Sequence, residues 1–191
     1  MASQSSTDPA GGARSAAWAS WLGAVAVILG VFLTAVHANE LLKQVVLVRN
    51  APPDGRMPAA VCPEEELEEE GLTAAECEHM VTNVGGLILS APAWFAGFMA
   101  ALSLAGTIVA FLSIVAGAAL VGGRAWAPVA AAATFGALAA VDAAGFVAAV
   151  NAGPILRQLY LAERLLWLLI HLMMTLGAIA GMRFSRAARA A

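Results

Sequence analysis

The chain has 191 residues, 61% of them hydrophobic and 12% charged, with a formal net charge of −3 and a mean hydropathy of +0.80. A soluble domain carries about a quarter charged residues, so this composition argues against an ordinary soluble fold. It offers no basic patch and no interleaving of bases with aromatics, so nothing points to nucleic acid; the lipid bilayer is the expected partner.

Residues 1–15 are Ser, Gly, Ala and Pro with little bulk and predict a disordered tail. Residues 16–37 predict the first transmembrane helix, with Trp18 and Trp21 at its boundary. The run is longer than the about 7–15 apolar residues of a signal-peptide core, so a retained span is expected. Helical spacing continues from His37 to Val48, with Leu41, Leu42, Val45 and Val48 on one side, and extends the helix towards residue 50. Pro52-Pro53-Asp54-Gly55 stops it.

Residues 38–91 predict an acidic loop. Ten of the thirteen acids lie between Glu40 and Glu78, against Lys43, Arg49 and Arg56, so the loop nets about −7 while the rest of the chain nets about +4. Pro63 suits a first helical position, and Glu64, Glu65 and Glu66 suit a first turn. Gly71 terminates that helix, and Thr73-Ala74-Ala75-Glu76 is a capping box that starts a second. Cys62 and Cys77 flank this hairpin, and a disulfide between them is worth about 3 kcal/mol in loop entropy. The acidic run matches no calcium-loop pattern and reads as a solvated helical surface.

Residues 92–121 predict the second span, opened by Pro92 with Trp94 and Phe95 at the boundary. Gly122-Gly123-Arg124 forms a tight turn, residues 126–150 the third span, and Asn151-Ala152-Gly153-Pro154 a second turn. Residues 155–183 predict the fourth span and residues 184–191 a basic tail. About 20 apolar residues cross the hydrocarbon core, and lipid leaves their backbone no partner but its own helix. The expected fold is all-α: an integral membrane four-helix bundle with a small helical outer loop domain. Arg183, Arg186 and Arg189 cluster at a span end, and both cysteines share one loop. These features place both termini in the cytoplasm of a plasma or inner membrane and the Cys-containing loop on its outer or periplasmic face.

Few residues could carry chemistry. Asp142 is the only acid of the third span, and an antiparallel hairpin turning near residue 153 sets it level with Arg164, so an intramembrane pair is expected. Arg157, Arg164, His171 and Thr175 fall on one face of the fourth helix; with Glu163 beside them, they could line a polar cavity. Gly177 and Gly181 form a small-xxx-small motif on a different face, suited to close helix packing. His37 and Glu40 are weak metal candidates, three residues apart on one helix. No cofactor is predicted; haem or quinone is an alternative resting on His171, although His37 and His79 do not match its expected depth. The layout is similar to that of four-span families with a bridged first outer loop, claudin-like proteins among them. This loop contains no Trp and so lacks their Trp before a close cysteine pair. No active-site motif is legible. The expectation is an accessory or structural subunit of a larger membrane complex, with other membrane subunits as partners. The alternative is a small transporter or quinone/redox-coupled protein working around Asp142, Arg164 and His171.

Overall fold

A computed structural model describes residues 9–50 and 61–190. Residues 1–8 and the Pro52–Gly55 stop signal lie outside them. Every described element is a helix: α1 (Pro9–Asn50), α2 (Glu64–Glu70), α3 (Ala74–Ser90), α4 (Ala93–Val121), α5 (Ala127–Asn151) and α6 (Pro154–Ala190). Segments of α1, α4, α5 and α6 are long and apolar enough to cross a membrane. Helical structure exceeds the sequence-based boundaries. It starts at Pro9 within the expected tail and continues through the expected basic tail to Ala190, while α1 runs to Asn50, where the helical spacing after His37 put its end. Pro9 stands at the first helical position, where its missing N–H costs nothing, and Ala and Arg, both good helix formers, make up most of the C-terminal residues.

The spans form a ring in which α1 packs along α4, α4 on α5 and α5 along α6, and a thinner contact between α1 and α6 closes it. Buried positions recur at steps of three and four, the spacing of a left-handed bundle seam. On α1 they include Gly23, Ala26, Gly30, Leu33, His37 and Gln44, and on α4 Ser103, Gly106, Ala110, Ser113, Gly117 and Leu120.

Glycine makes the α1–α4 seam close. A Cβ at Gly23 would lie 2.6 Å from the Gly117 carbonyl oxygen, and one at Gly117 would lie 2.8 Å from the Ala26 Cβ. At Gly30 it would lie 2.7 Å from the Ser113 hydroxyl, and at Gly106 2.7 Å from the His37 ring. Backbones that approach this closely gain dispersion contacts that lipid cannot supply. The α1–α4 packing is therefore the glycine-dependent interface. Gly177 and Gly181 do not share one packing face as expected. Gly177 meets nothing, whereas Gly181 is buried against the Trp18 ring of α1, 2.5 Å from a would-be Cβ. Over so long a helix the three–four seam follows the bundle rather than a straight 100° wheel, which carries Gly181 inward.

At the loop end, Pro63 is the N-cap of α2 rather than its first helical residue. Gly71 ends α2 with φ +66°, and the N–H groups of Gly71 and Leu72 return to the carbonyls of Glu68 and Leu67, a Schellman motif. The Thr73 hydroxyl accepts from the Glu76 N–H at 3.3 Å, and the Glu76 carboxylate accepts from the Thr73 N–H at 2.9 Å, a reciprocal cap on α3. These bonds hold the Glu76 carboxyl below the usual glutamate range. The sulfurs of Cys62 and Cys77 lie 1.98 Å apart, at disulfide distance.

Candidate functional site

Inside a membrane bundle the ordinary logic of amphipathic helices inverts: apolar side chains face lipid, and polar ones turn towards each other. The end of α1 shows this. Leu42 and Val46 are exposed, whereas His37 and Gln44 are buried, the latter at 1%. Facing them from α6 are Tyr160, Arg164 and His171, and from α5 Asp142.

Asp142 is the centre. Its side chain is 2% exposed, and each carboxylate oxygen has a different partner. Oδ1 lies 3.6 Å from an Arg164 guanidinium nitrogen, an ion pair longer than a hydrogen bond. Oδ2 lies 2.6 Å from His171 Nδ1. With Asp142 ionised, Nδ1 donates, which leaves Nε2 of the neutral imidazole as an acceptor. That Nε2 is buried and makes no hydrogen bond among the described residues. The His171 ring stacks on Trp167 at 6.0 Å, and Thr175 returns its hydroxyl to the His171 carbonyl at 2.7 Å. The arrangement gives a fixed imidazole, oriented by a carboxylate at one nitrogen and open to a proton at the other.

Helix geometry explains why these residues meet. Arg164 and His171 are seven apart on α6 and so share its inner face, and the Gly153 turn between the helices folds that face back against Asp142 on the inner face of α5. Gly145, one turn beyond Asp142, leaves room for the Arg164 stem: a Cβ there would lie 3.1 Å from Arg164 Cδ. His37 of α1 completes the group. It lies flat against Gly106, within electrostatic reach of Asp142, Arg164 and His171, and its Nε2 also has no hydrogen-bond partner among the described residues. Its burial corrects the expectation that His37 sits apart from His171. Towards the loop end the polar groups continue. Tyr160 donates to Glu40 at 2.9 Å, and the Gln44 amide donates to Glu40 at 2.7 Å. Lys43 reaches Glu40 at 4.0 Å from the surface.

Other expected site residues fall elsewhere. Glu163 is exposed and outside the group, because one residue of helix turns it about 100° from Arg164. Arg157 is exposed too and donates to the Val150 carbonyl at 2.7 Å, closing the α5–α6 turn. Glu40 Oε1 takes both the Tyr160 and the Gln44 hydrogen bonds, and Oε2 faces Lys43 at 4.0 Å. Among the described residues no three His, Cys, Asp or Glu side chains gather as metal ligands. A cleft at the terminal end of the bundle and a groove along the outer side of α6 both lie away from Asp142 and His171. Gln44 and Ser103, the latter a buried hydroxyl with no hydrogen-bond partner among the described residues, escaped the sequence reading. A signal for Gln44 was present: it lies seven residues from His37, the same step that separates Arg164 from His171.

The polar group occupies only part of the interior. His171 lies near the midpoint of the 154–187 span. Beyond it, towards the termini, the core is apolar: Ala26, Ala116, Leu120, Ala127, Ala131, Phe135, Met174 and Ala178. The polar string thus runs from the loop end to mid-bundle and stops at an apolar plug. No family model, no curated protein and no solved structure matches this chain.

Proposed function

We propose that this chain is a proton-handling membrane protein whose working centre is the Asp142–His171 pair. One observation carries the reading: a buried imidazole is fixed through Nδ1 to a carboxylate and has its Nε2 unpaired. Ionisable residues inside a bilayer are costly and mark proton or ion sites by default. Arg164 balances the charge of Asp142, so the resting group is neutral and has room for one further positive charge on His171. Tyr160, Glu40 and Gln44 offer exchangeable protons and acceptors on the loop side, and the apolar plug blocks the other. The proposed proton path enters along Tyr160, Glu40 and Gln44 from the loop end, which this reading assigns to the outer or periplasmic side. Quinone reduction or solute transport would each use such a centre.

The test is charge displacement. Proteoliposomes adsorbed on a solid-supported membrane receive a pH jump. A transient current is expected from the native protein, and its loss from His171→Gln and Asp142→Asn. A native protein with no transient, or a His171→Gln variant with an unchanged one, overturns the reading.

A second reading, an accessory subunit of a larger membrane complex, is favoured by α6. Its outer side carries a groove of about 490 Å³ along Leu176, Ile179, Ala180 and Phe184, beside the open Gly177. Under this reading Gly177→Leu releases co-extracted membrane proteins and leaves the bundle folded. Unchanged co-extraction contradicts it.

A further inference from the structure

We propose that the cleft at the terminal end of the bundle binds the phosphate headgroup of an anionic phospholipid through Arg124 and Arg186. The cleft measures about 410 Å³ and lies between α1, the α4–α5 turn and the last turns of α6. Two guanidinium groups line it from different elements. Neither forms an ion pair with a carboxylate among the described residues, and both side chains are exposed. A guanidinium presents its donors as a planar fork that matches two oxygens of a phosphate.

The position of Arg124 is built by the turn before it. Gly123 adopts φ +64°, and the Arg124 N–H returns to the Ala119 carbonyl at 3.0 Å, so the side chain springs from a capped turn. The rest of the lining says what kind of phosphate fits. Leu120, Val121, Val129 and Met182 give the cleft an apolar wall continuous with the span ends. A soluble phosphate has no use for such a wall, whereas the glycerol and first acyl methylenes of a lipid do. Tryptophan marks the level. Trp18 lines the cleft and donates its indole N–H to Ser185 at 3.3 Å, while Trp21 and Trp126 are exposed at the same end, the placement of a headgroup-level belt. Basic pockets between spans are known anionic-lipid sites. The apolar plug separates this cleft from His171, so the inference stands whether or not the proton reading holds.

The experiment uses the full chain in a neutral detergent and follows thermal unfolding. Added phosphatidylglycerol is expected to raise the midpoint. Phosphatidylcholine, and inorganic phosphate at equal concentration, are expected to leave it in place. The double variant Arg124→Gln/Arg186→Gln should keep the lipid-free midpoint and lose the phosphatidylglycerol shift, and Arg124→Lys/Arg186→Lys should retain part of it. Equal shifts with both lipids, or a shift that survives the Gln double variant, overturn the proposal. A shift with inorganic phosphate as large as that with phosphatidylglycerol also overturns the lipid, in favour of a soluble phosphate compound. If the Gln variant loses lipid-free stability, native mass spectrometry of the unaltered protein decides: retention of phosphatidylglycerol over phosphatidylcholine supports the site, and equal retention overturns it.

Discussion

At the scale of single residues, the bundle depends on how Asp142 is compensated. Taking a carboxylate into a low-dielectric interior costs several kcal/mol unless partners replace its water. Arg164 supplies opposite charge, and His171 supplies a short hydrogen bond. Removing one member of such a group leaves the rest uncompensated. Arg164→Leu should therefore destabilise by about 3–5 kcal/mol, and the double variant Asp142→Ala/Arg164→Leu by less, as read by unfolding in detergent. Equal losses would mean that the two charges do not compensate each other. The Asp142–Arg164 juxtaposition could be read from the sequence because a short turn fixes the register of a hairpin. The hydrogen bond to His171 could not. Depth along a helix places a residue within about a turn, whereas choosing which of two donors lies nearer the carboxylate needs side-chain geometry. His37 was misplaced for a related reason: where the hydrophobic stretch ends does not show where the helix leaves the membrane.

At the scale of elements, α1 and α4 meet through glycine, and the consequence is steric. A side chain at Gly106 strikes the His37 ring, and one at Gly117 strikes α1 itself. Overpacking of this kind costs about 1–3 kcal/mol. Gly106→Val should lower stability and also disturb the buried polar group, whereas Gly97→Val, at an open position on the same helix, should do neither. Parallel unfolding and charge-displacement measurements separate the two effects; equal behaviour of the variants would deny the close seam. The glycines were visible in the sequence, but their partner was not, since every span contains small residues and only three-dimensional pairing says which meet. The α3 cap, by contrast, was fully legible, because a capping box is a local motif. Its pH dependence follows from its bonds. The Glu76 carboxyl is held below its usual range by the Thr73 N–H and hydroxyl, so the cap is complete above that range and is lost as pH falls through the lowered value. Amide exchange in the first turn of α3 should accelerate on acidification, and Glu76→Gln should flatten that dependence. An unchanged profile in the variant would remove Glu76 as its source.

At the scale of the whole molecule, the buried polar group shares the half of the interior near α2 and α3 with an apolar cluster of Phe95, Met99, Ala148, Ala152 and Leu156, whereas an apolar cluster fills the half near the termini. Four long apolar helices were legible from length and hydropathy, because lipid admits only helices and closed barrels and these runs lack the alternation of barrel strands. The division was not, because polar residues spaced by seven along α1 and α6 look sporadic in a sequence that is hydrophobic all round. Packing turns them into one group, with His171 at its inner end and its Nε2 unpaired. The account rests on that nitrogen accepting a proton. Nitrogen-15 magnetic resonance of histidine-labelled protein in lipid vesicles reads both ring nitrogens directly. The account predicts that His171 is neutral with its proton on Nδ1 at high pH, becomes doubly protonated on acidification, and loses its Nδ1 preference in Asp142→Asn. An imidazole that stays in one protonation state across the stable pH range, or carries its neutral proton on Nε2, would contradict it.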